Sequence, residues 1–313
     1  MEEKQKCSRF IEPEKLADLR VKQEIELMNN RPWTRELPPP PVLPPYGPLE
    51  KITGRLESFS YERFSEYFDA RAYRTSTLPD ISDSQRGGAA AVAIAAGSPG
   101  VGTAIMAESD SSNSSAEYVQ GSINGKPFRG WVGVTCVRVG DDVEMVVEWQ
   151  CDHYEVYAIA LTENRIVSIC PECDMGHVAH AWWRIRNMVI LTAIMMFMFM
   201  LLLRDLFGDS NSLDYWGNYN AAIFMMLFGA LGVSGLIAFF AYKACAPTRC
   251  KLSEEIFSLL GMKNVAKVNL KKITKEKEWM LKEKGQWHEP SDQTHTPRPT
   301  QKLGYCLEHW FYY

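Results

Sequence analysis

A chain of 313 residues with a formal charge of −4 is long enough for one or two ordinary domains, and it lacks the global positive excess that marks a nucleic-acid binder. Eight cysteines fall short of the dense framework of a small secreted domain and read as reduced thiols. The average hides an asymmetry: residues 1–180 hold 18 Lys/Arg against 27 Asp/Glu, residues 181–242 hold 3 against 3, and residues 243–313 hold 13 against 8.

The first stretch is polar through Asn30, with no basic region followed by an apolar core, so a cleaved secretory signal is not expected. Leu16, Leu19, Ile25 and Leu27 among charges predict a short amphipathic helix over residues 13–30, with Pro13 at its start. Seven prolines between Pro38 and Pro48 then rule out helix or central strand, because each removes a backbone donor and fixes φ. Residues 1–48 are thus a helix and a Pro-rich linker.

Residues 49–180 read as a β-rich domain. A first strand is expected over Lys51–Tyr61, and five more over Tyr118–Ile123, Phe128–Val139, Val143–Trp149, Tyr154–Leu161 and Ile166–Ile169. Turn chemistry separates them, Asn124-Gly125 most plainly. So many short strands close most naturally into a small antiparallel barrel, OB-like or SH3-like, because closure removes exposed edges. Between them, residues 77–116 are rich in Ser, Ala, Gly and Asp and read as a disordered insertion.

Two apolar spans follow within residues 181–245. Met188–Leu203 is sixteen uncharged residues, about 24 Å as a helix, flanked by Trp182, Trp183 and Arg204; Ala221–Tyr242 is longer and carries Gly229, Gly232 and Gly235. The expectation is a two-helix transmembrane hairpin near 186–207 and 220–242. Arg184 and Arg186 before it and Lys243, Arg249 and Lys251 after it place both termini in the cytoplasm and residues 206–219 outside, as in a multi-pass bacterial inner-membrane protein. The basic region 246–313 is expected to be helical: a helix capped by Ser253 through Leu260, and a Lys-rich one over Leu270–Lys284 that either rests on anionic headgroups or is a solvated face. The fold class read from the chain is therefore a membrane-anchored α+β protein with a small barrel, a transmembrane hairpin and C-terminal helices.

Chemistry is sparse. Cys170-Pro171-Glu172-Cys173 followed by His177 supplies half of a tetrahedral zinc site, so Cys170, Cys173 and His177 are the candidate ligands of a structural zinc, with His180, Cys151 and His153 nearby in sequence. A redox dithiol and a plain turn are the alternatives. No Gly-x-Ser-x-Gly, His-Glu-x-x-His or phosphate loop occurs, so neither catalytic residues nor an organic cofactor are expected.

Four stretches, GRLESFSYERF (54–64), NGKPFRGWVG (124–133), YEVYAIAL (154–161) and RIVSICPECDMGHVAHA (165–181), resemble a group of enterobacterial membrane proteins encoded in type VI secretion gene clusters and labelled as type VI effectors. The resemblance covers roughly residues 45–245. It implies a Gram-negative inner membrane and interbacterial competition, without a mechanism or catalytic residues. The leading expectation is a membrane-anchored, non-enzymatic, secretion-associated protein whose barrel, with exposed Trp131 and Trp149, binds a protein partner and no nucleic acid. A membrane-inserting pore-forming effector and an immunity protein for a neighbouring effector are the alternatives.

Overall fold

The computed structural model describes residues 13–68, 114–207, 248–285 and 310–313, with a few positions between Phe228 and Phe239. In chain order the elements are β1 (Glu14–Lys15), α1 (Leu16–Met28), β2 (Glu50–Glu66), β3 (Ser114–Ile123), β4 (Lys126–Val132), β5 (Asp142–Gln150), β6 (His153–Leu161), β7 (Ile166–Ile169), α2 (His177–Phe207), α3 (Thr248–Leu259), α4 (Leu270–Glu283) and β8 (Phe311–Tyr312).

Five strands close a barrel. The 17-residue β2 is long enough to serve two partners. Its first part, Glu50–Arg55, pairs antiparallel with β5, and the rest, beyond a register shift at Leu56/Ser58, pairs with β3. A bulge of this kind bends a strand and lets it turn a barrel corner. β3 and β4 form a hairpin whose turn residues Asn124 and Gly125 both have positive φ, 53° and 71°, the geometry that Asn-Gly favours. β4 then joins β6 in parallel through Phe128–Gly130, and β6 pairs antiparallel with β5. The closed order β2-β3-β4-β6-β5 is that of an OB-like barrel, and its parallel β4–β6 seam corrects the expectation of a purely antiparallel one. β6 continues through β7 to β8 at the C-terminus.

Two cores follow from the strand alternation. Leu56, Val119, Ile123, Phe128, Val143, Met145 and Ile159 fill the barrel, joined by Trp310 and Tyr312 from the C-terminus. A second cluster forms on the other side of the strands, where Phe64, Trp131, Tyr157 and Ile169 meet Leu16 of α1, Ile256 and Phe257 of α3, and Leu270 of α4. The Pro-rich stretch packs there too. Leu37 and Leu43 touch this cluster, Trp131 Nε1 donates to the Pro39 carbonyl at 3.0 Å, and Tyr157 Oη donates to the Val42 carbonyl at 3.1 Å. The prolines remove backbone donors that a ladder would need, and carbonyls of the stretch find side-chain donors instead.

The transmembrane hairpin is not supported. Among the described residues no helix is long and apolar enough to cross a membrane. Helix α2 occupies the place of the first span but starts at His177, and its first turn is tied to α3 through His177 and His180. The helix continues through Phe207, and its uncharged run over residues 188–203 is about 24 Å at 1.5 Å per residue, short of a ~30 Å hydrocarbon core. Most of the second expected span, 220–242, lies outside the described residues, as do residues 77–113 of the expected insertion; Ser114–Ala116 belong to β3. The inner-membrane location and the orientation of the termini lose their structural basis with the hairpin.

Helix boundaries differ in one informative place. Ser253 sits inside α3, not at its start, with its hydroxyl donating to the Arg249 carbonyl at 2.9 Å. A serine that bonds back to the i−4 carbonyl looks like a cap in sequence and is none. Helix α4 has Asn269 as its N-cap, whose side chain accepts from the Lys272 amide, and ends before Gly285, where φ is 63°.

Candidate binding groove

A groove of about 520 Å³ opens where β2, β3 and β4 meet the β5–β6 turn. Strand alternation sorts its lining onto two faces, the first row toward the barrel core and the second outward. Phe59, Gly121 and Phe128 lie in one cross-strand row, with the Phe59 and Phe128 rings 6.5 Å apart; Ser60, Gln120 and Arg129 form the adjacent row. Gly121 lets the strands come close, because a Cβ there would stand 2.1 Å from the Ser58 carbonyl oxygen. Hydroxyls line one side: Ser58 Oγ lies 2.8 Å from Ser122 Oγ, and Ser60 Oγ donates to the Gln120 carbonyl at 3.4 Å.

The β5–β6 turn brings in charge. Cys151 at φ 60° reverses the chain and places Asp152 and His153 at the groove. His153 is nearly buried, with Nδ1 2.5 Å from Asp152 Oδ1 and Nε2 3.6 Å from Glu155 Oε2. The hydrogen bond from His153 holds the exposed Asp152 carboxyl below its usual range. Burial does the opposite to Glu155: its pKa is pushed up to about 8, with Arg129 opposing and the neighbouring Glu148 reinforcing the shift. Glu155 is therefore largely a neutral acid at neutral pH, while the buried Glu148 accepts from the Gly47 amide, Gln150 Nε2 and Tyr157 Oη.

That difference gives a pH prediction with a definite sign. A carboxyl whose folded pKa lies near 8, against an ordinary 4.5, holds its proton longer in the folded state. Its contribution is complete below about pH 4.5 and is lost as pH rises through about 8. Glu155→Gln removes that loss. The variant is expected to match the natural protein at pH 5 and to exceed it by on the order of 2–4 kcal/mol at pH 9. Thermal melts from pH 5 to 9 check this; parallel curves for the two proteins would contradict it.

Beside the groove stands an aromatic shelf. Trp149, 44% exposed, meets Tyr154 edge-on at 4.8 Å, and Lys126 Nζ lies 4.9 Å and 5.2 Å from the two ring centroids while donating to Tyr154 Oη at 3.1 Å. Of the two tryptophans expected on the surface, Trp149 is there. Trp131, at 2% exposure, is instead buried against Phe64, Phe68 and Tyr118. Its position in β4 points it to the side that α1 and the Pro-rich stretch cover, a contact that strand periodicity alone does not show.

The cysteine cluster forms a junction instead. Cys170 and Cys173 are buried in a tight turn whose Glu172 has φ 66°. Glu172 accepts from Arg249 Nη1 at 2.7 Å, and Arg249 Nη2 also donates to His180 Nε2 at 3.3 Å. Burial, and after it the Arg249 charge, lowers the His180 pKa to about 4, so the ring stays neutral and accepts. The His177 amide and Nδ1 both bond Glu254 Oε1 of α3. His177 Nδ1 is thereby tied to this junction, and among the described residues no group of three or more His, Cys, Asp or Glu is arranged to hold a metal ion. Metal analysis of reduced protein purified without chelator is expected to show well below one equivalent of zinc, and Cys173→Ser to cost about 1–3 kcal/mol through burial of an unpartnered hydroxyl. Stoichiometric zinc that disappears in the variant would contradict this account.

The groove was not found from sequence. Arg129 carries no motif, and of the β5–β6 turn the sequence singles out only Cys151 and His153, as neighbours of the cysteine pair. The usable signal was a charged pair at a two-residue hairpin turn, facing a strand that alternates Ser58, Phe59, Ser60. Comparison of the chain with protein-family models, with curated proteins and with solved structures gives no match.

Proposed function

We propose that this chain is a non-enzymatic binding protein that recruits a protein partner through the groove of its OB-like barrel, in the setting of a type VI secretion gene cluster. The observation that carries the reading is the groove itself: an open, preformed recess of about 520 Å³ on a closed barrel, with polar side chains converging beside an exposed aromatic shelf. Barrels of this topology commonly bind through the outer surface of their second and third strands and the turn between the fourth and fifth, which is where Gln120, Arg129, Asp152 and His153 lie. That argument is one of fold-level analogy. The secretion setting rests on the sequence likeness of the four stretches alone. An immunity role is the form of this reading in which the partner is a toxin encoded alongside.

Ser60→Trp places an indole at an exposed groove position and is expected to change stability by no more than ~0.5 kcal/mol. In a two-hybrid screen against each protein encoded beside the gene, the natural chain should pair with one of them and the Ser60→Trp variant should not. An interaction that survives the substitution, or growth arrest on expression of the chain alone, would count against the reading.

A further inference from the structure

The groove holds one exposed cation, Arg129, that has Asp152 and Glu155 within electrostatic reach but no close partner among the described residues, and this says what the partner presents. Arg129 stands directly beside Glu155 in the parallel β4–β6 register, where a cross-strand ion pair would be expected. None forms. Arg129 is exposed, and its guanidinium makes no hydrogen bond and no close ion pair among the described residues. The nearby acids are otherwise engaged. Asp152 is bound to His153 at 2.5 Å, and Glu155, on the same face in the paired strand, is buried, where the low-dielectric surroundings favour its neutral form. What faces the groove is thus a planar fork of donors, flanked by the Ser60 hydroxyl and the Gln120 side chain.

We propose that Arg129 seats the carboxylate of an acidic side chain carried by an extended segment of the partner protein, with the adjoining residues of that segment against Ser58 and Ser60 of β2 and Gln120 of β3. The proposal rests on the reading that the barrel acts through this groove. Arginine's geometry suits a carboxylate taken in bidentate fashion. A nucleic-acid strand suits the groove less well, because tracking a phosphate backbone takes several cations in succession. Here one arginine faces the recess together with Asp152, and Lys126 next to it is already engaged by Trp149 and Tyr154. A segment lying across three strands also matches the size of the recess, which accommodates a few side chains.

The test is selection of a phage-displayed random decapeptide library on the full chain, with the Ser60→Trp chain as counter-selection, followed by fluorescence anisotropy of a labelled winner. The expected result is enrichment of Asp or Glu at one position of the selected peptides. Replacing that acid by its amide should weaken binding at least ~10-fold, as should Arg129→Gln, with Arg129→Lys recovering part of the loss. Peptides that enrich without an acidic position, or whose affinity Arg129→Gln leaves unchanged, would overturn the proposal while leaving a peptide-binding groove in place. Failure to enrich any peptide over the Ser60→Trp control would overturn both. Displacement of a selected peptide by a single-stranded oligonucleotide at equal concentration would assign the arginine to phosphate instead.

Discussion

Trp131→Ala is expected to cost about 3–5 kcal/mol and to lower the melting temperature by on the order of 10–20 °C. The indole is almost fully buried and stacks with Phe64, Phe68 and Tyr118 at centroid distances of 6.2, 5.9 and 5.2 Å. Truncation leaves a cavity between strands that are tied on both sides and cannot collapse to fill it. The same ring donates to the Pro39 carbonyl, so its loss should also loosen the Pro-rich stretch from the barrel. Proteolysis between residues 31 and 48 should then accelerate before global unfolding does. Trp131→Phe separates the two effects: it retains most of the packing and removes only the hydrogen bond, worth about 1 kcal/mol. A Trp131→Ala protein melting within a degree or two of the natural one would show that the second core is not organised around this residue.

The second large effect is expected from Gly130→Ala. A Cβ at this position would stand 2.4 Å from the Val156 carbonyl oxygen and 2.7 Å from the Val156 amide nitrogen, both of them backbone atoms of the paired strand. No rotamer change relieves such a clash. The β4–β6 seam has to part, and this parallel pairing over Phe128–Gly130 is what closes the barrel. A loss of at least ~3 kcal/mol is expected, with faster amide exchange along both β4 and β6. The same substitution at Gly125 meets no atom within 4 Å and is strained only by its positive φ of 71°, so it should cost less, about 1 kcal/mol. If the two variants proved equally stable, the parallel closure would be wrong.

The strands were largely legible in the sequence because their signals are local. Val, Ile and Tyr alternate over Tyr154–Leu161, and Asn124-Gly125 has few conformations open to it other than a tight turn. β2 was read too short, over Lys51–Tyr61 instead of Glu50–Glu66, because its two halves face different partners and its outer half is polar. The far end of the Phe128–Val139 strand was over-read. After Val132 the chain leaves the sheet, and Thr135 there binds the buried Glu117 carboxylate, which Arg63 also holds. Helix α4 was found by its Lys-rich period and its closing glycine.

The functional groove was not legible, and the reason is physical. Its residues come from Ser58–Ser60, Gln120, Arg129 and His153, which only barrel closure brings together, and none of them carries a motif. The cysteine pair shows how far a spacing reaches: it is suited to a metal, but among the described residues no third donor is gathered with Cys170 and Cys173 into a metal-holding group. The membrane hairpin was inferred from the hydropathy of two runs, whereas α2 begins with a polar, docked segment and no described helix is long and apolar enough to cross a membrane.

The most direct test of the central claim, that the groove on the barrel is where this protein binds its partner, is the affinity of the full chain for the neighbouring protein found in the two-hybrid screen, measured by titration calorimetry with the natural groove and with Ser60→Trp. The account predicts that the substitution weakens binding by roughly 100-fold, about 2.7 kcal/mol, while the melting temperature changes by no more than a degree or two. Equal affinities for the two proteins would contradict it and move the binding surface elsewhere on the molecule.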